Sequence, residues 1–384
     1  MIFQRSKTPG EDIRRFLSMT SQRRRLIDES SDALPTADFA VNQLSQKLHP
    51  GIFRAVIAGK EPVGCNAAKI TLLPAEGTHF PYFRAGQFVT LSSRVGDSFL
   101  TRAYSLASSP GEARRGVMEI IVQENGLYSG YLLHQAKTGE TVSVGEPSGD
   151  FYHDSIRDRG HVLAVAGGSG VTPFLSMMKA IREGSEDFRL TLLYGVRKLD
   201  DALFDPDSFR DDRIRIELIL SEEEREGFRH GFITRDLLKD CIDGETSVFM
   251  CGPDAMYRYV GGELEALGIG PHAVRREHNS IGMREVPEQK VFRLTVHIRD
   301  ERYVLEARND ETLLTALERA GIPAVSRCRS GVCGFCHSRL VKGMFTVHDH
   351  EDHRRAADIK FNYLHPCCSY PESDMEIEIP VFNV

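Results

Sequence analysis

Residues 328–336 read CRSGVCGFC, three thiols in nine positions: Cys328, Cys333 and Cys336. Thiolates are soft donors suited to iron, and the spacing C-x4-C-x2-C with a distant fourth cysteine is a ligand pattern for a [2Fe-2S] cluster. Gly331 and Gly334 leave room for a loop to wrap closely and free their N–H groups to face sulfur. Zinc is the alternative. It commonly takes paired C-x2-C knuckles, and only one such pair is present here. Three ligands are incomplete, and the downstream candidates for the fourth are the neighbours Cys367 and Cys368. If both lie at the start of a strand, their side chains point to opposite faces and one alone can meet the metal.

Around this loop, FRLTVHIRD and ERYVLEA read as a hairpin and ETLLTALERAG as a short helix. Residues 291–384 resemble a plant-type ferredoxin domain, with CRSGVCGFC matching the cluster loop and CCSYPESDMEIEIP the closing strand. The resemblance implies a β-grasp fold and, through its C-x-x-Y-P register, assigns the fourth ligand to Cys367. Cys368 then becomes a small buried thiol.

Toward the N-terminus the patterning changes. From 47 to 158, short alternating segments (FRAVIAG, KITLLP, QFVTLS, MEIIVQ) separated by Gly and Pro turns predict an antiparallel barrel. FRAGQFVTL followed by TRAYSLASSP resembles the flavin-binding domain of the ferredoxin-NADP reductase superfamily, whose R-x-Y-S fingerprint is here Arg102, Ala103, Tyr104 and Ser105. A Tyr face can stack on an isoalloxazine, while Arg and a hydroxyl suit its phosphate. The implied site also takes in Val122 of MEIIVQ, and Gly126 and Ser129 of NGLYSGYL match the second phosphate turn used by FAD-binding members rather than FMN-binding ones. The plain alternative makes Tyr104 a half-buried strand aromatic and Ser129 an ordinary turn residue.

From 159 to 285, strand-like runs (HVLAVAG, RLTLLYGV, RIELIL, SVFMCG) alternate with helical ones, predicting a parallel sheet wrapped by helices. AVAGGSGVTP sets Gly167, Gly168 and Gly170 between a strand and a helix that opens with Thr172 and Pro173, a geometry that can receive a pyrophosphate. With LLYGVR, which contributes Arg197, and MCGPDAM, it resembles the same superfamily's NAD(P)-binding domain. There Thr172 lies near the flavin edge, and Cys251, Gly252 and Pro253 line the nicotinamide position. By itself Cys251 reads equally as a small core residue. After RIELIL comes SEEERE, where Glu222, Glu223 and Glu224 would meet a 2′-phosphate with like charge, so NADH is favoured over NADPH. Arg197 and Lys198 argue the other way. Where the family often ends this domain with Glu-x-Phe, this chain has Glu277-His278-Asn279, without the aromatic.

The whole chain of 384 residues carries a formal charge of −7, which argues against nucleic acid as main partner, and no apolar run reaches membrane-spanning length. Five of the eight cysteines lie in the last 57 residues, a crowding that points to ligation rather than disulfides, and the charged start MIFQRSKTPGEDIRRF suggests a cytoplasmic protein. Residues 1–46 have helical spacing and no assigned chemistry. VHDHEDHRR, with His348, His350 and His353, reads as a charged surface loop rather than a metal site.

The expected architecture is therefore multidomain α+β: antiparallel flavin barrel, α/β nucleotide-binding domain, β-grasp ferredoxin domain. Nicotinamides give two electrons at once and an iron–sulfur cluster takes one, so a flavin belongs between them. The order resembles reductase components of oxygenase and demethylase systems, and the NADH reductase that serves hybrid-cluster protein. It implies NADH-dependent electron delivery to a partner redox protein, with no side chain required as acid or base. A competing reading is an electron-carrier or redox-sensing module with little NAD(P)H turnover.

Overall fold

The computed structural model describes residues 9–28, 39–48, 51–96, 98–277, 283–322, 324–347 and 352–380. The chain parts into two units at Pro50/Gly51. In the first, helices span Pro9–Asp28 and Ala40–Leu48. All the chemistry argued below lies in the second.

Six antiparallel strands come first: β1 Ile52–Val63, β2 Ala67–Pro74, β3 Phe88–Val95, β4 Ser98–Ser105, β5 Met118–Gln123 and β6 Thr141–Gly145. They lie in the order β4-β3-β6-β1-β2-β5, and a bridge between Leu106 and Ile120 joins the two outer strands, which closes the sheet into a barrel. Alternation puts Ile57, Ile70, Leu72, Val89, Leu91, Ile120 and Val122 inside. Val122, expected at the cofactor, is fully buried in this core.

The second sheet runs β7 His161–Gly167, β8 Arg189–Val196, β9 Ile214–Leu220, β10 Arg229–His230, β11 Thr246–Cys251 and β12 Val274–Glu277. Its order is β10-β9-β8-β7-β11-β12 and every pairing is parallel. The chain leaves β7 toward β8 on one side and returns to β11 on the other, so the topological switch falls at the carboxyl end of β7, the usual place for a ligand crevice. This domain and the barrel share one core: Ala107, Ile121 and Phe151 pack with Phe174, Met177 and Phe249. The buried Ser176 hydroxyl, donating to Ser108 O at 2.7 Å, sits in the same seam.

The last domain contains β13 Val291–Ile298, β14 Glu301–Arg308, β15 Ser338–Lys342, β16 Phe345–Val347, β17 Tyr363–Leu364, β18 Ser369–Pro371 and β19 Met375–Glu378. The mixed sheet β14-β13-β19-β15-β17, with β13 parallel to β19, is covered by the helix Leu313–Arg319 and has its own core of Leu294, Val296, Leu313, Leu317 and Ile377. One expectation is corrected here. Cys367 and Cys368 do not begin a strand; they lie in the turn before β18, with Cys368 N–H donating to His365 O at 3.0 Å, so strand alternation does not decide between them. His348 and His350 fall outside the described residues, and His353 is exposed.

Candidate functional site

The carboxyl ends of β7 and β11 are pressed together by glycine. A Cβ on Gly170 would lie 2.1 Å from Cys251 O, and one on Gly167 would lie 2.9 Å from Pro253 Cδ, so both positions require hydrogen. Gly168, at φ +53°, makes the turn that feeds the helix Thr172–Arg182. Thr172 is buried and its hydroxyl donates to Ser169 O at 2.8 Å, while Pro173 follows in the first turn, where its missing N–H costs nothing. Gly252 N–H donates to the Tyr257 hydroxyl at 3.2 Å. The Gly-rich turn and the Cys251-Gly252-Pro253 turn thus form one surface.

Against it stands the end of β4. Ser105 Oγ donates to Glu277 Oε2 at 3.2 Å, and Cys251 Sγ lies 4.0 Å from the same oxygen. Cys251 and Glu277 are register partners on β11 and β12, which fixes their side chains near one another. Burial pushes the Glu277 carboxyl up to about 8, against the opposing effect of the Ser105 hydroxyl, so it holds a proton at neutral pH. Sequence reasoning noticed Glu277 only as part of a departure from Glu-x-Phe. Its burial depends on two domains closing over it, which no local pattern reports. His278 and Asn279, where the aromatic was expected, lie outside the described residues.

Arg102, Ala103 and Tyr104 are each partly buried on β4, one of the two outer strands of the sheet. Tyr104 packs 6.5 Å from Tyr128, centroid to centroid, and burial raises its phenol well above the usual range, so it remains a hydrogen-bond donor. Arg102 points toward the last domain: its Nη1 lies 3.0 Å from both carboxylate oxygens of Glu318. Gly126, at φ +112° and ψ −172°, adopts a conformation open essentially to glycine alone. Ser129 Oγ accepts from Asn125 N–H at 2.8 Å and donates to Gly126 O at 3.0 Å, which braces that turn from within. Arg197 is exposed and lies 3.6 Å from Asp201. Beside it, Glu222 N–H donates to Arg197 O, and Glu223 accepts from Leu199 N–H at 2.8 Å, so the acidic run borders the end of β8 with Glu222 and Glu224 exposed.

In the last domain four thiols gather. Cys367 is within hydrogen-bonding reach of Cys328, Cys336 and its neighbour Cys368, and Cys328 of Cys333. Main-chain N–H groups of Ser330 and Cys333 point at Cys328 Sγ, each at 3.4 Å, and Phe335 N–H points at Cys333 Sγ at 3.4 Å. Hydrogen bonds from Cys333 and Cys367 draw the Cys328 thiol far below its ordinary value. Among the described residues no three His, Cys, Asp or Glu side chains group about a single point as one ion would require, and all eight cysteines are thiols. A [2Fe-2S] cluster asks two protein sulfurs of each iron, and these four thiols with N–H groups aimed at sulfur fit it. Cys368 also lies within reach of Cys367. Its Sγ donates to His365 O at 3.4 Å and sits where a Cβ on Gly331 would come within 2.8 Å.

Three stretches of the chain match models of known families. Residues 55–153 match an oxidoreductase FAD-binding domain, 164–261 an oxidoreductase NAD-binding domain, and 296–372 a 2Fe-2S iron-sulfur cluster binding domain. The chain is 30% identical over 299 residues to the NADH oxidoreductase HCR of Escherichia coli, a match covering 77% of this chain and 89% of the relative. It is 31% identical to the heme-dependent oxidative N-demethylase beta subunit of Ectopseudomonas mendocina, with 75% and 86% covered. The solved structure of phthalate dioxygenase reductase superposes with a TM-score of 0.63 at 25% identity, covering 86% of this chain and 98% of that one. The chain therefore belongs to the family of oxidoreductases that join FAD-binding, NAD-binding and 2Fe-2S domains into one electron-transfer reductase.

Proposed function

We propose that this reductase oxidises NADH at the seam between its first two domains and delivers single electrons, through a cluster held by Cys328, Cys333, Cys336 and Cys367, to a separate oxygenase or demethylase component. When bound, FAD supplies the conversion of a two-electron hydride donor into one-electron steps that a cluster can accept. The observation that carries the reading is the Ser105–Glu277 hydrogen bond, 3.2 Å, with Cys251 beside it, because it brings the end of R-x-Y-S against the Cys-Gly-Pro turn.

In this reading Gly167, Gly168 and Gly170 let the chain approach a pyrophosphate, and Thr172 with Pro173 starts the helix beside it. Cys251, Gly252 and Pro253 form the wall against which a nicotinamide is oriented. Ser105 and Glu277 keep a proton between their oxygens and exclude water there. Tyr104 offers its ring and hydroxyl to the flavin, Arg102 its charge, and Gly126 with Ser129 shapes the turn beside the diphosphate. Glu222 and Glu224 disfavour a 2′-phosphate, which supports NADH over NADPH. The names of the N-demethylase subunit and of phthalate dioxygenase reductase attach those relatives to a demethylase and an oxygenase, which supports the acceptor class.

The test is Cys251→Ala in single-turnover mixing with NADH. The expected result is slower flavin bleaching while dithionite still reduces both centres, since only orientation is disturbed. An unchanged rate would make Cys251 a core residue.

A further inference from the structure

The cluster loop contains one residue in a conformation that its side chain disfavours. Arg329, directly after Cys328, has φ +56°, a left-handed position that ordinarily selects Gly or Asn. An arginine held there, with its side chain only 5% exposed, calls for a reason in its contacts. Its Nη1 lies 2.6 Å from Glu318 Oε1 and 3.4 Å from Thr101 O. Glu318, itself 6% exposed, belongs to the helix Leu313–Arg319 and also takes Arg102 of β4 at 3.0 Å. Arg102 Nη1 in turn donates to Thr101 O at 2.9 Å. On the other side of Cys328, Arg327 reaches Glu146 of the barrel at 2.7 Å. Both arginines flanking the first cysteine of the cluster loop therefore tie it to the flavin-binding barrel.

We propose that Arg329 and Glu318, with Arg102 and Thr101 as their receptor on β4, form an interdomain latch that sets the distance between flavin and cluster. The proposal rests on the reading of Cys328, Cys333, Cys336 and Cys367 as cluster ligands. Two like charges, Arg102 and Arg329, cannot share a nearly dry crevice by themselves, and the carboxylate between them makes their approach favourable only when the domains are docked. The latch is thus conditional: Glu318 and Arg329 come from one domain, Arg102 from the other. It also places the implied flavin-phosphate arginine in direct contact with the cluster domain.

The experiment compares Arg329→Gly with Glu318→Gln in the full-length holoprotein. Glycine suits φ +56°, so the first variant relaxes the loop while removing the latch. Four quantities are read: the cluster absorption and EPR signal, flavin bleaching by NADH, the flavin-to-cluster step by stopped flow, and hydrogen–deuterium exchange over 98–105 and 313–319. The latch predicts that both variants keep the cluster and the NADH step, slow the flavin-to-cluster step by about tenfold or more, and lose exchange protection in both segments together. A purely electrostatic influence on the cluster would move the two variants in opposite directions, because one loses a positive and the other a negative charge. That outcome, unchanged transfer in both, or loss of the cluster in both would overturn the proposal. Absence of cluster absorption in the unmodified protein would refute the ligand reading instead, and the exchange measurement would still judge the latch.

Discussion

The barrel meets its two neighbours in different ways. Toward the nucleotide-binding domain it presents apolar surface, rimmed by the ion pairs of Lys179 with Glu112 and Glu119 and of Arg115 with Glu183, and Phe151, whose ring lies 5.5 Å from Phe174 and 5.3 Å from Phe249, belongs to a core that ignores the boundary between domains. Toward the cluster domain the described residues make polar contacts: ion pairs of Arg102 with Glu318 and of Arg327 with Glu146, and Arg329 reaching Thr101 O at 3.4 Å. The two domains there have separate cores. Apolar burial is non-directional and stabilises by area, at about 25 cal/mol per Å². A buried ion pair adds little net stability but is costly to break, about 3–5 kcal/mol when one partner is lost, so it specifies position more than it strengthens. Hydride transfer tolerates little change in geometry, and the seam that serves it is fused. An electron tolerates a hop, and the cluster domain is fastened by charges.

Breaking the far end of the path has the largest effect. Cys367→Ser should lose the cluster absorption and EPR signal, or shift them as oxygen replaces sulfur, while Cys368→Ser should retain them; NADH should still bleach the flavin in both. Loss of the cluster in the Cys368 variant alone would put the ligand one residue later.

The fused seam can be broken with Phe151→Ala. Truncating a buried Phe costs about 3–5 kcal/mol, and because the core is shared the barrel and the nucleotide-binding domain should lose stability as one cooperative unit in denaturant. Separate transitions, with one domain unaffected, would show that the seam is only a contact.

Glu277 sharpens the same seam through pH. Its folded value, about 8, stands above the ordinary carboxyl value of 4.5. A raised acid keeps its full stabilising contribution below the unfolded value and loses it as pH rises through the folded one. Stability should therefore fall between roughly pH 4.5 and 8, by a few kcal/mol on the order of 1.4 per unit of difference. In Glu277→Gln, denaturation midpoints across this window should be flatter. A slope unchanged by the substitution would assign the dependence to other groups.

The smallest effect lies away from both interfaces. Glu223 is occupied by Leu199 N–H and by Arg225 at 3.6 Å, so the exposed Glu222 and Glu224 are the charges open to a ribose phosphate. Changing those two to Gln should narrow the preference for NADH over NADPH by about tenfold or less, since a close charge in water contributes about 1 kcal/mol. Equal kcat/KM for the two cofactors in the unmodified protein would contradict the charge argument.

The difference between the interfaces also explains what could be read from the sequence. HVLAVAG and RLTLLYGV coincide with β7 and β8 because a strand buried on both faces is a continuous apolar run. The cluster loop was legible because ligand spacing is a local constraint. Gly167 and Gly170 were visible as glycines, but the reason for them, contact with the Cys251 turn, is a long-range fact. The turn at Cys367 and Cys368 escaped because a strand-like closing segment masks where pairing starts. Glu277 and Glu318 escaped for a shared reason: each is an ordinary acid in its own segment, and only the closing of one domain on another buries it.

Electrons follow one ordered path, from NADH across the fused seam to flavin and then across the latched one to the cluster. Anaerobic stopped-flow mixing of the unmodified holoprotein with NADH, followed at flavin and cluster wavelengths and by freeze-quench EPR, tests it most directly. Flavin bleaching should come first and the reduced-cluster signal afterwards, with the second phase absent in Cys367→Ser and the first retained. A cluster signal that rises before or without flavin bleaching, or that never appears within turnover, would contradict it.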